Sequence, residues 1–250
     1  MIGCDCATCQ STDARDQRLR PSIFIEASDG TALLVDAGPD LRAQALRHGI
    51  RRVDGIVFTH GHADHILGLD DVRRYNFMQQ RPMPCYGDER TIADLRQTFA
   101  YAFDPQTQKG GGLPRVETFA ILGPFCAGRQ EIVPVPVLHG RRPILGLRVG
   151  TFAYLTDCNR IPDASWPLLE GLDVVVLDAL RHRPHPTHFT VAEAIEASRR
   201  IGAARTYFTH MCHDLPHAAT SAELPGGIEL AYDGLVVEVE ERPSGNARRS

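Results

Sequence analysis

Thr59-His60-Gly61-His62-Ala63-Asp64-His65 places three imidazoles and one carboxylate between His60 and His65. The apolar run Gly55-Ile56-Val57-Phe58 stands before it and reads as a buried strand, and a helix is expected to start near Ile66. A strand end therefore presents four candidate ligands on one tight turn. Imidazole suits zinc and other first-row metals, and carboxylate suits harder ions. His60 and His62, one residue apart, can aim two rings at one ion, while Asp64 and His65 can face a second.

Outward from this turn the chain alternates strands and helices. Residues 22–27 and 31–36 are short β runs joined by Ser28-Asp29-Gly30, a hairpin signal. Residues 41–48 are an expected helix ending at Gly49, and residues 66–79 and 88–101 also read as helical. The stretch 103–115 contains Pro105, Gly110, Gly111, Gly112 and Pro114 and is the expected mobile loop. Residues 131–138, 145–149, 152–155 and 174–177 return to β. An amphipathic helix over 191–201 brings Val191, Ala194, Ile195, Ser198 and Ile201 near one face. Residues 227–231 and 235–240 read as a closing hairpin, and the polar residues 241–250 as a flexible tail. Asp36, His60, His139, Asp157, Asp178 and His210 each follow an apolar β run.

The turn at 59–65 resembles the Thr-His-x-His-x-Asp-His signature of the metallo-β-lactamase superfamily. Further motifs follow in the family's order: Leu33-Leu34-Val35-Asp36, Val137-Leu138-His139, Tyr154-Leu155-Thr156-Asp157 and Phe208-Thr209-His210. Within that superfamily the chain looks most like the phosphoribosyl 1,2-cyclic phosphate phosphodiesterases, on three segments: Gly3-Cys4-Asp5-Cys6-Ala7-Thr8-Cys9, His210-Met211-Cys212-His213, and Leu224-Pro225-Gly226-Gly227-Ile228-Glu229-Leu230-Ala231-Tyr232-Asp233-Gly234. Such relatives carry a strand and a Gly-rich turn before the first Cys, where this chain has Met1-Ile2-Gly3. The resemblance implies an α/β, four-layer αββα sandwich of two mixed sheets flanked by helices, expected as one domain over 1–240. It implies that His60, His62 and His139 hold one ion, that Asp64, His65 and His210 hold another, and that Asp157 bridges them. Asp36 would orient the 60–65 turn, with a turn-capping Asp as the plainer reading. Asp178 carries the same ambiguity and is not assigned as a ligand. His188 would meet the substrate and protonate the leaving group, whereas His182 and His185 read as solvated loop residues. Arg141 and Arg142 are candidates to grip a phosphate, or a solvated pair.

Cys4, Cys6 and Cys9 sit too close together for disulfides and at good spacing for a metal, in a Cys-rich loop over residues 1–20. A closed tetrahedral zinc needs one more ligand. His213 fits by family position, with Cys212 and His217 as competitors. Cys85, Cys126 and Cys158 lack clustered partners and read as small core fillers.

The 250 residues suffice for one large domain, and a 43% hydrophobic content is ample for a core. A net charge of −4 disfavours nucleic acid as a partner. No run approaches the ~18 apolar residues of a membrane span, and no export signal is recognised, so the chain is expected in the cytoplasm with reduced thiols. These readings converge on a metal-dependent phosphodiesterase with two catalytic divalent ions, Zn or Mn, and one structural Zn. Its expected partner is a small cyclic or diester phosphate, a homodimer being left open and no membrane being involved. The alternatives are an accessory or carrier protein of quinone-cofactor biosynthesis and a zinc-knuckle-like nucleic-acid binder.

Overall fold

Around Ser28-Asp29-Gly30 the chain folds as the expected hairpin. Strand β1 (Ile23–Glu26) pairs antiparallel with β2 (Ala32–Val35), Ile23 opposite Val35, and Gly30 turns the corner at φ 81°. The computed structural model describes residues 1–108, 110 and 112–240, so the expected tail at 241–250 and two positions of the 103–115 stretch lie outside the described residues. The chain divides into two compact units. One is Arg20–Ile132; the other joins Met1–Leu19 to Val133–Ser250.

In the unit Arg20–Ile132, β2 is followed by α1 (Leu41–Arg47), β3 (Gly55–Val57), α2 (Ala63–Ile66), a 3-10 turn at Leu69–Val72, α3 (Arg73–Gln79), β4 (Met83–Gly87), α4 (Glu89–Thr98), α5 (Ala100–Phe103), β5 (Val116–Ala120) and β6 (Phe125–Ala127). The sheet order is β1-β2-β3-β4-β5, and every pair after the first is parallel. Ala32 to Val35 and Gly55 to Val57 are buried throughout, as parallel strands covered on both faces require. Leu34, Leu41, Ile56, Phe58, Ile66, Leu69 and Leu95 form the centre of this unit's core. Each such side chain contributes on the order of 1.5–3 kcal/mol by leaving water.

Two expectations need correction here. The helix after the His-rich turn starts at Ala63, inside the motif, and the span 66–79 is broken into three pieces. Gly68 is the reason: a Cβ there would collide with the carbonyl oxygens of Gly38 and Ala37, so the chain must pass close and bend. Residues 83–87 and 116–120, which carried no strand expectation, are β4 and β5; Pro84 and Glu117 interrupt the apolar pattern that would reveal them.

Strand β7 (Gln130–His139) begins opposite β6 and runs on into the second unit. There it is followed by β8 (Arg142–Val149), β9 (Phe152–Leu155), a 3-10 stretch at Asp163–Leu169, β10 (Val174–Asp178), α6 (Val191–Ile201), β11 (Arg205–Thr209), α7 (His217–Glu223) and β12 (Ile228–Leu230). The order is β12-β11-β10-β9-β8-β7-β6. β9, β10, β11 and β12 are mutually parallel neighbours, while β8 is antiparallel to both β7 and β9. β7, β9, β10 and β11 therefore all point the same way. Their C-terminal ends share one edge of the sheet, which carries His139, Asp157, Asp178 and His210. The two mixed sheets with their helices give the expected fold class.

Helix α6 starts on a capping box, Thr190 with Glu193, and stops at Gly202 in the left-handed conformation, φ 70°. The expected closing hairpin is half right. Residues 228–230 pair parallel with β11, but residues 235–240 form no strand. Side chains hold that segment instead: Arg205 donates to the Glu238 carbonyl at 2.6 Å. Cys85 and Cys158 are buried as expected, whereas Cys126, on β6, is exposed.

Candidate metal centre

In the unit Arg20–Ile132, parallel pairing of β2 with β3 sets Asp36 beside the start of the His-rich turn. Asp36 is fully buried and adopts φ 62°, which turns its side chain back toward Thr59. Its Oδ1 accepts from the Thr59 amide at 2.8 Å, and its Oδ2 accepts from the Thr59 hydroxyl at 2.9 Å and from His65 Nδ1 at 2.8 Å. The carboxylate fixes two tautomers. His65 must carry its proton on Nδ1, which leaves the Nε2 lone pair. The Thr59 hydroxyl, having given its proton to Asp36, accepts from His60 Nδ1 at 3.1 Å, so His60 also presents the Nε2 lone pair. The His60 ring centroid lies 4.5 Å from that of His62 and 4.3 Å from that of His65, and Asp64 Oδ2 is 3.7 Å from His65 Nε2. Such neutral imidazoles beside a carboxylate are a donor set suited to a divalent transition metal.

The second unit has its own set along the shared strand edge. Asp157 and His210 follow β9 and β11 at φ 54° and 60°, and Asp157 Oδ2 lies 3.2 Å from His210 Nε2. His139, at the end of β7, donates from Nδ1 to the Thr187 carbonyl at 3.0 Å, which again leaves Nε2 as a ligand atom. His139, Asp157 and His188 each offer an atom within 4.8 Å of the others. His188 is buried and donates from Nδ1 to Asp178 Oδ1 at 3.1 Å, while Asp178 Oδ2 accepts from the Phe189 amide at 2.9 Å. Burial pushes the Asp178 carboxyl above the usual range, and the bond from His188 opposes this. The His188 ring stacks on His210 at 4.8 Å and meets His139 edge-on at 4.8 Å. The role of Asp178, ambiguous in the sequence, is therefore to hold His188.

The thiol cluster closes within the same unit. Cys4, Cys6 and Cys9 bring their Sγ atoms to 3.3, 3.3 and 3.7 Å from His213 Nδ1. A tetrahedral zinc with the usual Zn–S and Zn–N bonds has an S···N edge of about 3.5 Å, so these donors have the right spacing for one ion. His213, of the three candidates for the fourth place, is the one that meets the thiols. The Cys9 amide and His213 hold the Cys6 thiol down to about 6, so it is readily available as thiolate. Arg18 ties the loop down by donating to the Cys212 carbonyl at 2.9 Å and the Leu215 carbonyl at 2.6 Å. Sequence reasoning passed over Thr59 and Thr187, whose hydroxyl and carbonyl set the tautomers of His60 and His139. No spacing rule identifies such groups.

Residues 31–211 match the model of the β-lactamase superfamily domain. The chain belongs to that superfamily and carries the metallo-β-lactamase fold, a fold of divalent-metal hydrolases. Among solved structures it is similar to a new diphosphatase from the PhnP family, at 48% identity and a TM-score of 0.87 over 94% of this chain and 89% of that one. This agrees with the expected resemblance to cyclic phosphate phosphodiesterases. It is also similar to Coenzyme PQQ synthesis protein B of Xanthomonas euvesicatoria, at 34% identity over 91% of this chain and 90% of the relative. An Octanoyltransferase of Porphyromonas gingivalis is 33% identical over 96% of this chain. The chain spans 49% of that relative's length. No helix among the described residues is long and apolar enough to cross a membrane.

Proposed function

We propose that this chain is a phosphodiesterase acting on a small cyclic or diester phosphate. In this reading His60, His62 and His139 hold one divalent ion, Asp64, His65 and His210 hold a second, and Asp157 bridges them. Zinc and manganese both suit this set of imidazoles and carboxylates. Ions held there would lower the pKa of water and neutralise charge developing on the phosphoryl oxygens. Asp36 keeps His65 and His60 in the tautomers that such binding needs. Cys4, Cys6, Cys9 and His213 take a structural zinc that tethers the N-terminal loop.

The observation that carries the reading is the buried His188–Asp178 pair beside Asp157 and His139. Asp178 orients the ring through Nδ1, so that Nε2 is the atom placed to hand a proton to a departing alkoxide. An ester of ribose or another alcohol needs that help, because an alkoxide is a poor leaving group. The 48% identity to a diphosphatase supports phosphorus chemistry at this kind of site.

The test is a hydrolysis panel on metal-loaded protein: a cyclic ribose phosphate, an aryl phosphodiester, a diphosphate ester, a thioester and a lactam. Turnover of the phosphate esters above the rest is expected. Thioester or lactam turnover above phosphate would overturn it. A second reading, an accessory role in quinone-cofactor biosynthesis, rests on the 34% identity to the PQQ synthesis protein and would be favoured by full metal loading without turnover of any substrate.

A further inference from the structure

The loop from Arg181 to His188 contains a histidine that the mechanism does not use. His185 is half-buried, and its ring centroid lies 5.0 Å from that of His188 at an interplanar angle of 52°. Its Nδ1 receives two groups of Thr187: the backbone amide at 3.3 Å and the hydroxyl at 3.2 Å. A backbone amide can only donate. Nδ1 must therefore be unprotonated, and a ring that keeps this bond is neutral with its proton on Nε2. Burial, followed by the neighbouring His188 and Arg181, moves the imidazole in the same direction, away from the charged form.

This is the reverse of its neighbours. His139 and His188 both donate from Nδ1, to the Thr187 carbonyl and to Asp178, which leaves Nε2 of His139 as a ligand atom and Nε2 of His188 as the atom that gives up a proton. Thr187 alone sets both patterns: its carbonyl takes the proton of His139, while its amide and hydroxyl exclude a proton from Nδ1 of His185. The loop is pinned in that arrangement. Asn159 donates to the Pro186 carbonyl at 3.2 Å and accepts from the Gly140 amide at 2.8 Å, which ties the loop to the turn after His139. No protein acceptor among the described residues meets Nε2 of His185. A fixed neutral donor is thus held beside the proton-carrying histidine, with no acceptor among the described residues to receive its hydrogen.

We infer that His185 is a substrate-binding residue that donates from Nε2 to an oxygen of the phosphate ester, beside the bond that His188 helps to break. The inference rests on the phosphodiesterase reading for the identity of the acceptor, but the tautomer and the donor can be tested without turnover. A neutral donor suits a phosphodiester, whose oxygens accept strongly but carry only one negative charge. A loop cation would bind a more highly charged monoester better.

The test has two arms. In the first, histidine-labelled, metal-loaded protein is studied by nitrogen-15 NMR with inorganic phosphate as the probe. His185 should show the Nε2–H tautomer at neutral pH, and its Nε2–H signal should move on adding phosphate. An Nδ1–H tautomer, an imidazolium, or an unmoved signal would overturn the inference. In the second, His185→Ala should raise KM for an aryl phosphodiester by ~10–100-fold, the effect of losing a hydrogen bond to a charged group. kcat should fall much less and metal content should not change. His185→Gln, which restores an N–H donor, should recover part of the KM. Thr187→Val, which deletes the hydroxyl and keeps the amide, should raise KM by a smaller factor. An unchanged KM in His185→Ala, or loss of metal, would refute the role. If the wild-type protein turns over no phosphodiester, the proposed function fails while the NMR arm still decides the role of His185.

Discussion

Asp36→Asn isolates what one buried carboxylate does for the His-rich turn. The substitution keeps size and shape, and Asn tolerates the positive φ of 62° at this position, so the backbone is not strained. Asp36 accepts three hydrogen bonds, one through Oδ1 and two through Oδ2. The amide of Asn has one oxygen. If that oxygen stays with the Thr59 amide, the NH2 group faces the Thr59 hydroxyl and His65 Nδ1. His65 must then move its proton to Nε2 and lose the lone pair a metal needs. If the amide flips, its NH2 group faces the Thr59 amide, and two donors meet in a site with no access to water. Either way at least one buried donor is unsatisfied, at a cost of about 1–3 kcal/mol. For a chain of this size that corresponds to a Tm lower by roughly 2–12 °C. Metal affinity should also fall, by about 10–100-fold, because the group that orients a ligand is lost. Thermal melts of chelator-treated protein read the first effect, and competitive titration with a metal indicator reads the second. If Asp36→Asn melts with the wild type and binds metal as tightly, these three bonds do not hold the turn.

Cys6→Ser should reduce zinc content and Tm together, since structural metal binding adds directly to folding free energy. Elemental analysis and melting check this, and an unchanged Tm with unchanged zinc would refute the thiol site. His188→Ala should keep its metals and lose ~10²–10⁴-fold in turnover of an alkyl ester. A nitrophenyl ester, whose leaving group needs no proton, should be spared; equal losses on both would refute general acid catalysis. Burial raises the carboxyl of Asp54, but the Ala32 amide, Arg52 and Arg81 outweigh it and hold the group below its ordinary value. A carboxyl with a depressed folded-state pKa contributes stability above its unfolded pKa of about 3.9 and loses it as pH falls through the folded value. Asp54→Asn should therefore destabilise the protein at neutral pH and converge on the wild type in strong acid, as measured by urea unfolding across pH.

Strand ends were legible in the sequence because an apolar run followed by Asp or His is a local pattern. Asp36, His139, Asp157 and His210 all fit it, and the family resemblance singles them out as site residues. The start of α2 was not legible, because its N-cap, His62, makes no side-chain capping bond and gives no signal. β4 was hidden by Pro84, although in the sheet it pairs with both β3 and β5. The fourth partner of the thiols stayed open among three residues because no spacing rule reaches across the roughly 200 residues from Cys9 to His213. In the sequence His185 reads as a solvated loop residue; what marks it is the Thr187 amide, a backbone group that residue types do not reveal.

Asp36, Asp157 and His210, three of the four non-glycine residues with positive φ among the described residues, are all candidate site residues placed just beyond a strand. Left-handed backbone disfavours a side chain with a Cβ by about 1 kcal/mol or more, although Asn, Asp and His enter it more readily than other residues. At 157 and 210 the backbone would be better served by glycine or asparagine, whereas the three hydrogen bonds that Asp36 accepts hold that residue in place. A descendant released from selection for activity should therefore drift toward Gly or Asn at 157 and 210 first, and become more stable as it does so. The identities of these two residues would then distinguish working members of the lineage from relics that keep only the fold.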